Sequence, residues 1–138
     1  QYNYVLVDCP PSLGYMTDNA LLATRNVLIP ALAEGTSIRA LEILFDQIDS
    51  NENWLNIDIS EVGLVANRVE QDGEAEEMME WFHDTFHGRL PVWEIRKRVA
   101  LKRAWNNGVS IFNHDEDCDM EAVFLEIAEN IDSGGDSA

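Results

Sequence analysis

The apolar residues of the chain fall into short runs separated by stretches in which they recur at helical spacing. The nearly all-apolar runs Tyr4–Asp8, Val27–Pro30 and Val62–Ala66 are typical of strands buried on both faces of a parallel sheet. Shorter runs at Leu90–Trp93 and Val109–Phe112 predict two further strands. The pattern therefore predicts a mainly parallel sheet whose strands alternate with helices.

Polar residues at the predicted helix starts suit capping. Thr17 or Asp18 is expected to cap a short helix through Ala23, and Thr36 or Ser37 to cap the next. The predicted apolar faces of the later helices are Ile38, Leu41, Phe45 and Ile48, then Ala75, Met78, Met79, Phe82 and Phe86, and finally Met120, Val123, Phe124, Ile127 and Ile131.

Glycines mark the predicted ends of two helices. Asp72-Gly73 is expected to open a helix that Gly88 ends, and Gly108 to end a basic helix of roughly 97–107. A last helix is expected near 119–131. Short connections predict one three-layer α/β domain over 1–132, and the Gly/Ser/Asp-rich stretch 133–138 predicts a disordered tail.

The formal net charge of −17, from 26 acidic and 9 basic residues, is the strongest compositional signal. The acidity is spread along the chain, which favours adaptation of the whole surface to high salt, and hence a halophilic source, over an acidic surface for one partner. General attraction to DNA or anionic lipid is excluded, so any such binding needs a local basic patch.

The first residues of the chain, its apolar runs and its cysteines indicate where in the cell the protein is located. No apolar run reaches the length of a membrane-spanning helix, and residues 1–8 lack the basic start and cleavage site of a secretory leader. Because the first residue is Gln1, the chain is expected to begin inside a longer gene product. Cys9 and Cys118 lack metal-type spacing, and Cys9 is expected to be a buried thiol in a cytoplasmic protein.

The four tryptophans and three histidines suggest no chemistry. Trp54, Trp81, Trp93 and Trp105 are expected in the core or half-buried at the surface. His83, His87 and His114 have neither metal spacing nor a catalytic partner, so they are expected to be solvated.

Asp8 is the first candidate for chemistry. A carboxylate at the carboxyl end of a buried parallel strand lies where α/β folds place ligands. In phosphate-transfer proteins such an Asp holds Mg²⁺, and the next loop senses the γ-phosphate. Taken alone, an Asp at this position more often starts a turn or caps a helix.

The whole segment Tyr4–Ala20, YVLVDCPPSLGYMTDNA, resembles the Walker B and switch II segment of the ParA/Soj/MinD deviant-Walker ATPases. The resemblance implies a P-loop NTPase-type sheet, with Asp8 as the water-mediated Mg²⁺ ligand. It makes Cys9, Pro10, Pro11, Ser12, Leu13 and Gly14 the switch II loop.

The resemblance extends, more weakly, to about residue 131. Asn26–Pro30 and Glu34 are similar to the next family segment, and Asn67-Arg68 to a pair beside the adenine base. Leu90-Pro91 is similar to a stretch that passes over the base, so Asn67, Arg68 and Pro91 are implied nucleotide contacts. Without the resemblance, Asn67-Arg68 would be interpreted as residues of a turn and Pro91 as the start of a strand.

The sequence contains no Gly-x-x-x-x-Gly-Lys-Ser/Thr loop, because neither Lys97 nor Lys102 follows a glycine. That loop supplies the backbone N–H groups and the lysine that hold the phosphates. The resemblance implies that ATP and Mg²⁺ bind to a full-length protein whose phosphate loop precedes Gln1. The sheet is thus expected to be incomplete, and this chain alone to be inactive as an ATPase.

Six of the nine basic residues lie within 89–103. The resemblance implies non-specific DNA binding by an ATP-bound homodimer, and the cluster then offers phosphate contacts at Arg96, Lys97, Arg98, Lys102 and Arg103. The alternative is that these cations pair with carboxylates or with a helix dipole. The acidic stretch 113–119 lies where the family commonly carries arginines, which disfavours simple DNA binding.

Three functions remain open at this point. The first is a chromosome or plasmid partition ATPase that dimerises with ATP, associates with the nucleoid and is stimulated by a ParB-like partner. The second is a MinD-like positioning regulator, although the Ser/Gly/Asp end lacks the basic amphipathic helix of membrane-cycling members. The third is a non-enzymatic interaction module.

Overall fold

The computed structural model describes residues 1–10 and 12–134. In chain order the elements are α1 (Tyr15–Thr24), β1 (Asn26–Leu32), α2 (Thr36–Leu55), β2 (Ser60–Val69), α3 (Gly73–Phe86), β3 (Val92–Arg96), α4 (Val99–Asn106), a 3₁₀ turn (Ile111–Asn113) and α5 (Met120–Asp132).

The three strands form one parallel sheet in the order β1-β2-β3. Ile29 of β1 pairs with Leu64 of β2, which pairs in turn with Val92 of β3. The central strand β2 is buried from Gly63 to Ala66, as expected for an all-apolar strand covered on both faces.

Neighbouring residues of β2 enter different cores, which defines the layers. Leu64 and Ala66 join a cluster with residues of α2 and α3, whereas Val65 joins Trp93, Ile95 and the apolar face of α5. Since successive strand residues point to opposite faces, helices cover both sides of the sheet. The predicted three-layer α/β architecture is confirmed.

The predicted apolar faces of the helices are also confirmed. All five residues named for α3 are buried, and so are Leu41 and Ile48 of α2 and Met120 and Ile127 of α5. The remaining named residues of α2 and α5 are partly buried against the same clusters.

The predicted ends of α3 and α4 are largely confirmed. The side chain of Asp72 accepts a hydrogen bond from the Ala75 N–H at 2.8 Å and caps α3. Gly88 and Gly108 follow α3 and α4 with φ of +73° and +66°, a conformation that glycine adopts without strain.

The predicted caps of α1 and α2 are wrong. Gly14 and Gly35 precede these helices, and neither helix has a side-chain cap. Thr17, Asp18, Thr36 and Ser37 lie inside the helices, because each helix begins earlier than the polar residues indicated.

The predicted strand at Tyr4–Asp8 is not formed. Residues 1–10 belong to no strand or helix, and Val5 and Leu6 are 76% and 85% exposed. A doubly buried strand needs neighbours, but β1 pairs only with β2 in the described part of the sheet. The Tyr4 hydroxyl instead donates to Asp132 of α5, and this contact raises the pKa of Tyr4 because the carboxylate favours the protonated phenol. Cys9 is exposed and not the expected buried thiol.

The strand expected at Val109–Phe112 is also absent. Ile111 is buried against Ala100 and Ala104 of α4, so this segment packs on the helix and turns there as a short 3₁₀ helix. After α5, Ser133 and Gly134 form a turn. The rest of the predicted tail, 135–138, lies outside the described residues.

Some surface predictions also need correction. Trp54 and Trp105 are 83% and 84% exposed and belong neither to the core nor to a half-buried surface. His114 was expected to be solvated, but only 11% of its side chain is exposed. Its Nε2 is buried and has no hydrogen-bond partner among the described residues.

Candidate functional site

The carboxyl ends of β1 and β2 open onto a cleft of about 370 Å³. In parallel sheets this edge is where loops and helix starts converge on ligands. The cleft is lined by Leu32, Ala33, Glu34, Thr36, Arg68, Glu70, Asp72, Glu74 and Ala75.

Asn67 and Arg68 lie at this edge, where the pairing of β2 with β3 is irregular. The register shifts between Ala66 and Val69, and Arg68 adopts φ of +55°. The Asn67 side-chain oxygen accepts a hydrogen bond from the Arg68 N–H at 2.9 Å. Bulges of this kind redirect side chains near functional sites, and here Arg68 lines the cleft.

The charged residues that line the cleft are mainly acidic. Glu34, Glu70, Asp72 and Glu74 surround a single lining guanidinium, that of Arg68. Some of these carboxylates have structural partners: Glu74 accepts from the Gly35 N–H at 3.4 Å, and Glu70 pairs with Lys97 at 2.7 Å. The excess of carboxylates disfavours phosphate groups inside the cleft but suits donors such as sugar hydroxyls.

Pro91 lies at the amino end of β3, away from Arg68 near the carboxyl end of β2. It precedes β3, and its carbonyl oxygen accepts a hydrogen bond from the Leu64 N–H at 2.9 Å. Arg68 follows Leu64 by four residues along β2, which corresponds to roughly 13 Å of strand. The structure therefore brings Asn67 and Arg68 together but does not bring Pro91 to them.

Asp8 and the loop that follows it are exposed. Asp8, Cys9, Pro10 and Ser12–Gly14 are all exposed to solvent, and Pro11 lies outside the described residues. Because Tyr4–Asp8 forms no strand, the structure does not place Asp8 at a strand carboxyl end. The expected Mg²⁺ geometry at Asp8 is thus not formed by this chain.

The basic cluster is largely paired with carboxylates. The ion pairs are Arg96–Glu94 at 2.7 Å, Lys97–Glu70 at 2.7 Å, Arg98–Asp119 at 2.8 Å and Arg103–Glu116 at 3.0 Å. Lys102 is exposed and has no ion pair within the ranges 1–10 and 12–134. Pairing of this kind favours the alternative reading of the cluster over a DNA-binding patch.

The bidentate contact of Arg98 with Asp119 affects both groups. The two hydrogen bonds that Arg98 donates to the carboxylate stabilise the charged forms of both groups, so they lower the pKa of Asp119 and raise that of Arg98. Asp119 is exposed and Arg98 is half-buried, so water still screens the interaction.

One polar contact was missed from the sequence. The side-chain amides of Gln47 and Asn51 both donate to Oδ1 of Asp18. The i, i+4 spacing of Gln47 and Asn51 puts both amides on one face of α2, but their partner could not be identified without knowing how α1 docks.

Neither a metal-binding cluster nor a membrane-spanning helix is found among the described residues. No group of three or more His, Cys, Asp or Glu side chains could hold a metal ion there. In that same part of the chain, none of the helices combines the length and apolarity needed to cross a bilayer.

The chain is similar to one protein family and to several known proteins. Residues 1–61 match the model of a family described as an AAA domain, in agreement with a partial P-loop NTPase-like α/β fold. The sporulation initiation inhibitor protein Soj of Bacillus subtilis is 28% identical over 139 aligned positions, covering 97% of this chain and 53% of Soj.

Two Myxococcus xanthus proteins are also similar. The chromosome partitioning protein ParA is 42% identical over 116 residues, covering 83% of this chain and 41% of ParA. The cell division protein PomZ is 31% identical over 116 residues, which cover 83% of this chain and 36% of PomZ. The chain is therefore similar to Soj and ParA proteins over most of its own length, and it spans about half the length of Soj.

Proposed function

We propose that this chain is the switch-loop and base-binding part of a ParA/Soj-like ATPase that partitions chromosomes or plasmids. The observation that carries the proposal is the segment Tyr4–Ala20, which lies within the matched family region 1–61. The similarity to proteins named Soj and ParA over most of the chain supports it.

The cleft fits the uncharged part of a nucleotide better than its phosphates. Carboxylates such as Glu34 can accept hydrogen bonds from ribose hydroxyls, and the Arg68 guanidinium can stack on a base. Phosphates would be repelled by the acidic lining. ATP would therefore bind with its base and ribose at the cleft and its phosphates toward the loop that follows Asp8.

Mg²⁺ would balance the phosphate charge and stabilise the charge that develops during phosphoryl transfer. In this proposal Asp8 orients the metal-bound water, and Cys9–Gly14 respond to the γ-phosphate. The phosphate loop itself is supplied by residues outside this sequence. Asp8 and Cys9–Gly14 take up their places when a neighbouring strand pairs with Tyr4–Asp8.

The proposed biological role includes a ParB-like partner that stimulates hydrolysis and a homodimer formed with ATP. DNA association is part of the role, but the ion pairs of the basic cluster argue that the DNA contact lies elsewhere or needs those pairs to open. A second role, positioning of the division site, is favoured by the similarity to PomZ.

A segregation assay in the source cells separates these roles. When the gene carries Asp8→Ala, more cells should lack the partitioned replicon. Their division sites should remain in the normal place. Glu42→Ala, an exposed change on α2, serves as the matched control and should behave as wild type. Misplaced division sites with normal replicon inheritance would support the positioning role instead, and no effect on either would contradict both.

A further inference from the structure

Helix α1 is attached to α2 by a polar contact whose acceptor is Asp18. The amides of Gln47 and Asn51 both donate to Asp18 Oδ1, Asn51 at 2.8 Å, and all three side chains are partly buried. Because the two donors lie one turn apart on α2, they hold one carboxylate oxygen from two directions. A partly buried carboxylate that accepts two such bonds contributes more to the stability of the fold than an exposed ion pair does.

An apolar contact next to Asp18 fixes the rotation of α1. Leu21, one turn further along, is 5% exposed and packs with Ile48 and Ile59. Apart from Leu21, Thr17 is the one buried residue of α1. With so small a buried surface, α1 depends on the Asp18 contact to keep its orientation.

The same turn of α1 also holds the end of the preceding loop. The Thr17 hydroxyl, in a side chain 7% exposed, donates to the Ser12 carbonyl at 3.0 Å. The Asp18 N–H donates to the Gly14 carbonyl at 3.0 Å. The backbone of Ser12–Gly14 is therefore bonded to Thr17 and Asp18, and Asp18 in turn contacts α2.

We propose that Asp18 is a positioning residue: by binding Gln47 and Asn51 it fixes α1 on α2, and through Thr17 it sets the backbone of Ser12–Gly14. Asp18 touches no ligand in this role. If the loop moves, the same hydrogen bonds would move α1 relative to α2. Only this consequence rests on the proposed function of Cys9–Gly14 as a switch loop.

Amide hydrogen exchange of the chain without nucleotide tests the positioning role. In Asp18→Ala, exchange within residues 12–24 should become about tenfold faster, because the contact that holds α1 is lost. Exchange in β2 and α3 should stay at the wild-type rate. Asp18→Asn keeps an Oδ1 acceptor and should restore wild-type protection.

Two controls keep the test decisive. Asp46→Ala removes an exposed carboxylate from α2 and should change nothing in residues 12–24. If Asp18→Ala does not fold, Asn51→Ala removes one of the two donors and should give a smaller acceleration confined to the same residues.

Three outcomes would overturn the proposal. These are unchanged protection of residues 12–24 in Asp18→Ala and Asn51→Ala, an equal acceleration throughout the chain, and failure of Asp18→Asn to restore protection. Since no nucleotide is present, such a failure would leave the proposed ATPase role standing. A failure of ATP binding would likewise leave the positioning role standing.

Discussion

At the scale of single residues, close contacts and charges decide which positions tolerate change. Gly63 of β2 shows this most directly. A Cβ at this position would lie within 3.0 Å of two ring atoms of Trp93 and 3.1 Å from the Pro91 carbonyl oxygen. Trp93 is buried, so its ring has little freedom to move aside.

Gly63→Ala should therefore destabilise the chain by about 1–3 kcal/mol, the usual cost of overpacking a core. Urea unfolding followed by tryptophan fluorescence measures the change. Gly73→Ala is a suitable control, because a Cβ there meets nothing within 4 Å. Equal stability of Gly63→Ala and the wild type would show that Trp93 does not pack as described.

The pair Arg98–Asp119 predicts a pH dependence. The pKa of Asp119 lies below its ordinary value of 3.8 because Arg98 donates two hydrogen bonds to the carboxylate. A depressed pKa stabilises the folded state above pH 3.8, and this contribution is lost as pH falls through the folded-state pKa.

Asp119→Asn should accordingly reduce stability slightly near neutral pH, and the difference from wild type should vanish in strong acid. Thermal unfolding scanned downward from neutral pH measures it. Asp117→Asn is the control, because Asp117 is exposed and forms no ion pair in the parts of the chain that the structure describes. A difference that grows on acidification would contradict the assigned pairing.

At the scale of elements, the sequence predicts best where burial alone determines structure. The apolar faces of α2, α3 and α5 follow from helical spacing, and β2 follows from its all-apolar run. These elements bury their apolar residues against each other within the chain. Local pattern and tertiary structure therefore agree.

The errors fall where an element depends on a partner that the pattern does not show. Tyr4–Asp8 is apolar enough for a central strand but has no strand beside it. Val109–Phe112 has the composition of a strand, yet Ile111 finds a buried position on α4. In the candidate site, the resemblance implied Arg68 as a nucleotide contact, and Arg68 lines the cleft. The Asp18 contact required knowledge of helix docking.

The cap of α3 gives a prediction at this scale. Asp72→Ala removes the acceptor for the Ala75 N–H and should cost about 1 kcal/mol of stability. Chemical unfolding monitored by far-UV circular dichroism measures the loss. Asp72→Asn keeps a capping oxygen and should recover most of it. If Asp72→Ala and Asp72→Asn were equally unstable, the cap would not be the cause.

At the scale of the whole molecule, the question is how an acidic protein would approach DNA. The net charge of −17 repels the duplex, and the basic cluster is largely neutralised by its own carboxylates. For the complete gene product with ATP, we expect Lys102→Gln to leave duplex affinity and its salt dependence nearly unchanged. Filter binding over a range of salt concentrations measures both, with wild type as reference. A salt slope reduced by about one would instead assign Lys102 to a phosphate contact.

We propose that this chain supplies one side of an ATP site whose phosphate loop lies outside its sequence. The most direct measurement is isothermal titration of Mg²⁺-ATP into the complete gene product and into the 138-residue chain. We expect the complete product to bind Mg²⁺-ATP and Arg68→Ala to weaken this binding. We also expect Asp8→Ala to remove the Mg²⁺ dependence, and the chain alone to bind weakly or not at all. A complete product that does not bind Mg²⁺-ATP, or that binds it equally well with both substitutions, would show that the proposed ATP site is wrong.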